Sequence, residues 1–371
     1  MVRTPLIALA ALVALPLPSL HAQTGDEVRT EVVARGLSNP WGMAFLPDGR
    51  ALVTERPGRL RIVNLRSNSA GAPITGLPPI ATVGQGGLLG LALDPDFATT
   101  RQVFLCFAEA RDGGTGTSVF RGKLSANFAA LEEGQVIFRQ MPAGNTGRHF
   151  GCRLVFGRDG NLFITLGDRG NLSDEAQNLA NHIGKVIRVA KDGSVPRDNP
   201  FVNRAGARPE IWSYGHRNAQ GATLHPETGA LYTIEHGSRG GDEVNRPEAG
   251  KNYGWPVITY GVDYSGAKIG VGTHREGMEQ PVFYWDPSIA PSGAMFYTGD
   301  KFPKWRGNLF TGALAGQLLA RLEMRNGQVT GENRMLEGLG ERIRDVVQGP
   351  DGFIYLLTDD RDGKILRLVP R

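Results

Sequence analysis

The sequence predicts an all-β fold, a six-bladed β-propeller with four-stranded antiparallel blades and long loops on one face. Three observations carry that expectation. The chain of 371 residues holds 51 glycines and 23 prolines at 40% hydrophobic content, too many turn formers for a helical protein yet enough apolar residues for a core. A strand–turn–strand pattern with Pro, Asp or Gly in the turn recurs along the chain. Both ends of the mature chain read as alternating strands that can complete one another's blade.

The first residues address the compartment. Arg3 supplies an early positive charge, Leu6 to Leu17 form an apolar run, and Ser19-Leu20-His21-Ala22 offers small residues where a signal peptidase reads. Residues 1–22 are therefore expected to be a secretory signal peptide, cleaved after Ala22 to leave Gln23 first; a buried N-terminal helix is the alternative. Residues 23–371 are expected to form one propeller domain, since no linker divides them. No later segment approaches 18 consecutive apolar residues, so no membrane span is expected.

Six copies of the hairpin follow. Met43 to Gly49 lead into Ala51 to Thr54, and Leu91 to Asp96 lead into Val103 to Leu105. Leu154 to Gly160 precede Leu162 to Thr165, and Ala222 to Gly229 precede Leu231 to Thr233. Met295 to Asp300 precede Leu309-Phe310, and Val346 to Gly352 precede Ile354 to Leu357. Proline fixes φ and glycine accepts a positive one, so these turns have a mechanism. The longest connection runs from about Gly237 to Pro291, and long loops on a rigid scaffold are where function concentrates. Val28 to Val33 and Ile365 to Val369 are the strands expected to close the ring.

Charge and motifs exclude several classes. Forty-one basic and 37 acidic residues give a net +4 without a basic stripe, so nucleic acid is not an expected partner. There is no GxSxG elbow, phosphate loop or HExxH helix. Gly84-Gln85-Gly86-Gly87 starts like a dinucleotide fingerprint, but Leu89 stands where the third glycine belongs. Two cysteines, Cys106 and Cys152, are too few for a disulfide scaffold; pairing is open to them in an oxidising compartment, yet their strand-like contexts favour two buried thiols.

Polar residues stand out near the starts of the repeats. They are Gln85, His149, the run Gly215-His216-Arg217-Asn218, the run Glu235-His236-Gly237-Ser238 with Gly241-Asp242-Glu243, then Asn252-Tyr253-Gly254-Trp255, and Arg342-Ile343-Arg344. In a propeller the first strand of each blade lines the central channel, so these residues would converge on one mouth. Alternation puts Arg342 and Arg344 on one side of a strand, an arrangement suited to a ligand with several carboxylates. A solvated strand face, a surface turn at Asp242-Glu243 and a structural histidine at position 149 are the plainer readings of each taken alone.

Taken in order, these motifs resemble those of the soluble pyrroloquinoline quinone (PQQ)-dependent aldose sugar dehydrogenases, the glucose/sorbosone dehydrogenase family, from about Gly36 to the C-terminus. The resemblance implies His149 as catalytic base, Asp168 as the acid that orients it, and Arg217 as a stabiliser of developing charge. It implies that Gln85, Arg217, Asn218, Tyr264, Arg342, Ile343 and Arg344 hold PQQ, together with Ala313-Leu314-Ala315-Gly316. It implies Ca2+ bound by the Gly237-Ser238 carbonyls, Glu243 and Tyr253. An aldose substrate, an external electron acceptor (quinone, cytochrome or dye) and a periplasmic or secreted location complete the implied picture. His216 and His236 are expected to be structural.

Two departures stand out. Ala315 occupies the place of a family lysine that reaches the cofactor, and Ser238 the place of a common proline. Two other classes stay open at this point: a calcium-dependent propeller lactonase or esterase, and a non-catalytic propeller that binds a sugar or a protein.

Overall fold

The computed structural model describes residues 28–371, so the expected signal peptide, its expected cleavage after Ala22 and Gln23 lie outside the described residues. Six four-stranded antiparallel sheets surround a central axis. The first blade comprises Pro40–Phe45, Ala51–Glu55, Arg59–Asn64 and Ser69–Ala70; the second Leu88–Leu93, Gln102–Arg111, Gly114–Leu124 and Leu131–Arg139. The third comprises Leu154–Phe156, Leu162–Thr165, Lys185–Val189 and Ile211–Tyr214; the fourth Ala219–Leu224, Leu231–Glu235, Asp242–Asn245 and Phe283–Trp285. The fifth comprises Pro291–Phe296, Leu309–Ala313, Leu319–Arg325 and Gln328–Met335. The sixth takes Ile343–Gln348, Ile354–Thr358 and Gly363–Pro370 from the C-terminus, and Val28–Leu37 joins Gly363–Pro370 as its outer strand. The expected closure is what the chain forms.

Each of the six sequence hairpins is the first and second strand of a blade. The turns repeat in atomic detail where Asp-Gly recurs. Gly49, Gly160 and Gly352 each have φ near +80° and donate to the carbonyl three residues back, Leu46, Gly157 and Gly349. That left-handed residue carries no Cβ, which is why glycine ends each turn.

First strands of neighbouring blades pack on one another around the axis. A Cβ at Gly90 would lie 2.0 Å from the Cys152 carbonyl oxygen, and one at Gly293 2.6 Å from Asp345 Oδ1, so glycine permits this approach. Threonines tie the ring together: Thr54 donates to the Leu89 carbonyl at 2.6 Å and Thr165 to the Ala219 carbonyl at 2.8 Å. The apolar core lies between blades. Phe104, Cys106 and Val119 of the second blade pack with Leu154, Leu162 and Ile187 of the third.

The two cysteines correct the sequence expectation. Cys106 and Cys152 form a disulfide with Cα atoms 5.5 Å apart, joining the second blade to the residues just before the third. They are not free thiols, because the ring brings two cysteines 46 positions apart back to one seam. Closing a loop of that length contributes of the order of 4 kcal/mol on the chain-entropy account. Among the described residues, no helix is long and apolar enough to cross a membrane.

Candidate active site

His149 sits on the connection between the second and third blades, with φ of 50°. Its N–H donates to Gln85 Oε1 at 2.9 Å, and Gly167 presses so close that a Cβ there would lie 2.1 Å from the His149 carbonyl oxygen. The imidazole Nδ1 is 2.6 Å from Asp168 Oδ1. That carboxylate also accepts the Gly170 N–H at 2.7 Å and the Trp255 indole N–H at 2.8 Å. A carboxylate fully engaged in this way keeps the proton on Nδ1 and leaves the Nε2 lone pair available. The His149 side chain is 12% exposed against 2% for Asp168, so the ring edge alone meets solvent. Burial lowers the pKa of His149, and the Asp168 contact offsets this only in part. Burial would raise Asp168, but the His149 hydrogen bond and the Arg217 charge hold its carboxyl below the ordinary range.

Arg217 binds two sides of the site together. Its carbonyl accepts the Asp168 N–H at 2.8 Å, and its own N–H donates to Glu235 Oε2 at 2.7 Å. The guanidinium lies 5.2 Å from the Trp255 ring centroid and donates to the carbonyls of His236 and Gly237. Asn218 accepts the Gly151 N–H at 3.0 Å through Oδ1, and Glu235 accepts a hydrogen bond from the buried His216 at 3.0 Å.

The arginine pair converges as the alternation predicts. Arg344 and Arg342 both reach Asp359 Oδ2, at 2.7 and 3.6 Å. Arg344 is buried and also donates to Gln220 at 2.7 Å; Arg342 is half exposed and donates to the Leu314 carbonyl at 3.1 Å. Beneath them Arg153 crosses the axis to Asp345 at 3.0 Å. Ile343 is buried between the two arginines, and Ala313, Leu314 and Gly316 shape the turn that receives Arg342. Burial, and after it the Arg217 and Arg344 charges, push the pKa of His236 down to about 4.

The Gly237-Ser238 turn is closed by Asp242, whose carboxylate accepts the N–H groups of Gly237, Ile289 and Ala290 at 2.8, 2.8 and 2.9 Å. Glu243 lines a small cavity with Arg217, Glu235, Gly237, Tyr253 and Trp255. Among the described residues its carboxylate has no cationic partner within ion-pair distance and accepts one hydrogen bond, from Asn245 at 3.0 Å. Burial and then the neighbouring Glu235 charge push its carboxyl up to about 8. A buried carboxyl beside backbone carbonyls is a donor set a hard cation suits. Among the described residues no group of three or more His, Cys, Asp or Glu side chains gathers. Tyr253 lines the same cavity, and its hydroxyl is already engaged, donating to the Arg246 carbonyl and accepting the Glu248 N–H.

Two expected residues stand apart. Tyr264 is 69% exposed on the long loop of the fourth blade, with no hydrogen bond from its hydroxyl. Ala315 is exposed, and its N–H donates to the Ile289 carbonyl. Sequence reasoning did not assign Trp255, Asp359 or Gln220. Trp255 lay in a recognised run, but its partner is 87 residues away and has no local signature. Arg217 Nε, Asn218 Nδ2 and Arg344 Nε are buried donors without a partner among the described residues, the pattern an acceptor-rich ligand would satisfy.

Comparison with known proteins gives the family. The profile of the family described as Glucose / Sorbosone dehydrogenase matches residues 37–367. The chain is 47% identical over 348 residues to aldose sugar dehydrogenase YliI of Escherichia coli, covering 93% of each. The crystal structure of the soluble aldose sugar dehydrogenase of Escherichia coli in the apo-form superposes with a TM-score of 0.90 at 46% identity, over 93% of this chain and all of that one. The PQQ-bound aldose sugar dehydrogenase of Streptomyces coelicolor superposes with a TM-score of 0.78 at 28% identity, over 93% of this chain and 98% of that one. The chain thus belongs to the glucose/sorbosone dehydrogenase family, and by that membership is an oxidoreductase.

Proposed function

We propose that this protein oxidises aldose sugars at the anomeric carbon to lactones, with PQQ as cofactor, calcium beside it, and electrons passed to an external acceptor. The observation that carries the reading is the His149–Asp168 pair, its Nε2 unencumbered and Arg217 next to it. The PQQ-bound relative supports the choice of cofactor. Bound at this mouth, PQQ supplies the hydride acceptor and calcium the Lewis acid that polarises it.

The chain's own residues do the rest. His149 Nε2 takes the proton of the anomeric hydroxyl as the hydride departs, which is general-base catalysis worth about 10²–10⁴-fold. Asp168 holds the ring in the reactive tautomer and stabilises the imidazolium that forms. Arg217 stabilises negative charge developing on the acceptor side. Arg342, Arg344, Asn218 and Gln85 hold the acidic cofactor, and Glu243 with the Gly237-Ser238 carbonyls holds the cation. Tyr253 borders that cation through its backbone, and Tyr264 reaches the ligand from its exposed loop. The 313–316 turn supports Arg342, and Ala315 leaves out the family lysine, which weakens the grip on PQQ.

The disulfide supports an exported protein, since such bonds persist in oxidising compartments. The test is reconstitution of the purified chain with PQQ and calcium, followed by an aldose and a redox dye. Bleaching only with both additions, and its loss by orders of magnitude in His149→Ala, is the expected result. Turnover without either addition, or undiminished turnover in the variant, refutes the reading.

A further inference from the structure

We infer that the Cys106–Cys152 disulfide is a positioning device for the base, fixing the left-handed backbone that carries His149. The inference rests on the reading of His149 as base. The starting observation is a run of unusual dihedrals: His149, Gly151 and Cys152 have φ of 50, 63 and 78°. Two of the three are L residues with side chains, which rarely adopt this conformation and keep it only where surroundings enforce it.

Those surroundings are visible. The His149 N–H is held by Gln85, the Phe150 carbonyl by the Thr117 hydroxyl at 2.7 Å, and the Gly151 N–H by Asn218. The Cys152 N–H donates to the Thr165 carbonyl at 2.7 Å, and the Cys152 carbonyl faces Gly90 across the blade seam. Each of these contacts is non-covalent. The sulfur bond is the one covalent tie, and it anchors Cys152 to Cys106, a fully buried residue in the second strand of the second blade.

Without it, only those non-covalent contacts hold residue 152 against relaxation to negative φ. Such a change redirects the peptide three residues downstream of His149 and swings the imidazole relative to Asp168. The disulfide touches neither the ring nor the ligand-holding arginines, so it acts through backbone position alone.

A bond that merely stabilised the seam between blades would behave differently, and glycine tells the two apart. Glycine adopts φ near 78° without penalty, whereas alanine does not. Two double variants of the full chain, C106A/C152A and C106A/C152G, both lack the bond. Two quantities are measured: kcat and KM for an aldose after reconstitution, and the ring resonances of His149 in protein without cofactor. We expect C106A/C152A to lose kcat about tenfold or more with KM little changed, and the His149 resonances to move. We expect C106A/C152G to recover most of the loss and return the resonances towards their original positions. Equal impairment of both variants, or full kcat and unmoved resonances in the alanine pair, overturns the inference. If the alanine pair does not fold, C106A alone, which breaks the bond but keeps the Cys152 side chain, takes its place: displaced His149 resonances with lowered kcat support the tether, and parent values refute it. Full turnover in His149→Ala would end the base reading separately, and the ring resonances would still report on the tether.

Discussion

The indole of Trp255 donates to Asp168 Oδ2 at 2.8 Å, while the other oxygen of the same carboxylate meets His149 at 2.6 Å. The long loop of the fourth blade thereby fixes the acid that fixes the base. Asp168→Asn keeps the volume but presents an N–H to one of these donors or to the imidazole. It is expected to favour the wrong imidazole tautomer and lower kcat by about 10²–10⁴-fold, with the fold kept by circular dichroism.

Gly167→Ala tests how tightly the base is seated. The new methyl would fall 2.1 Å from the His149 carbonyl oxygen, a backbone atom with no room to yield. Turnover is expected to drop at least about a hundredfold, as misplacement by an ångström commonly does. Alanine at Gly49, whose site is open but whose φ is 83°, should cost stability and leave turnover intact. Thermal unfolding beside steady-state rates separates the two.

The acid limb of the rate profile follows from burial. His149 works as a base only when neutral, and its folded pKa lies below the ordinary 6.5. Activity is therefore expected to stand above half of its plateau at pH 6.5 and to fall as pH drops through the lowered value. A kcat/KM profile with an acid limb centred above 6.5 would contradict this. Removing Asp168, which raises the histidine pKa, should shift the limb to lower pH.

Stability has its own pH window at His182. Its Nδ1 accepts the Met141 N–H at 3.0 Å and so must be unprotonated, and burial lowers its pKa. The unfolded chain binds the proton more readily, so this contribution is complete above about pH 6.5 and lost as pH falls below it. The melting temperature should decline between pH 7 and 5, with a smaller decline in His182→Gln.

Glu243→Gln addresses the cation. The amide keeps the shape of a carboxyl that burial and Glu235 push up to about 8, but has no charge to offer a metal. Calcium titration of activity should show half-saturation raised by about tenfold or more. Unchanged calcium dependence would place the ion elsewhere.

Local pattern determined the blades: alternation with Pro, Asp and Gly turns specifies each hairpin within about fifteen residues, so all six were legible before any coordinates. His149, Arg217 and the 342–344 pair were singled out in the sequence by their place at the starts of repeats or in an ordered motif, and Asp168 through the family resemblance. Ring geometry decided the rest. Trp255 on Asp168, Asp359 between the arginines and Cys106 on Cys152 join segments whose separation in the chain has no periodic signature. Side-chain alternation and turn chemistry are short-range constraints, whereas which distant side chains meet depends on how six blades close around one axis.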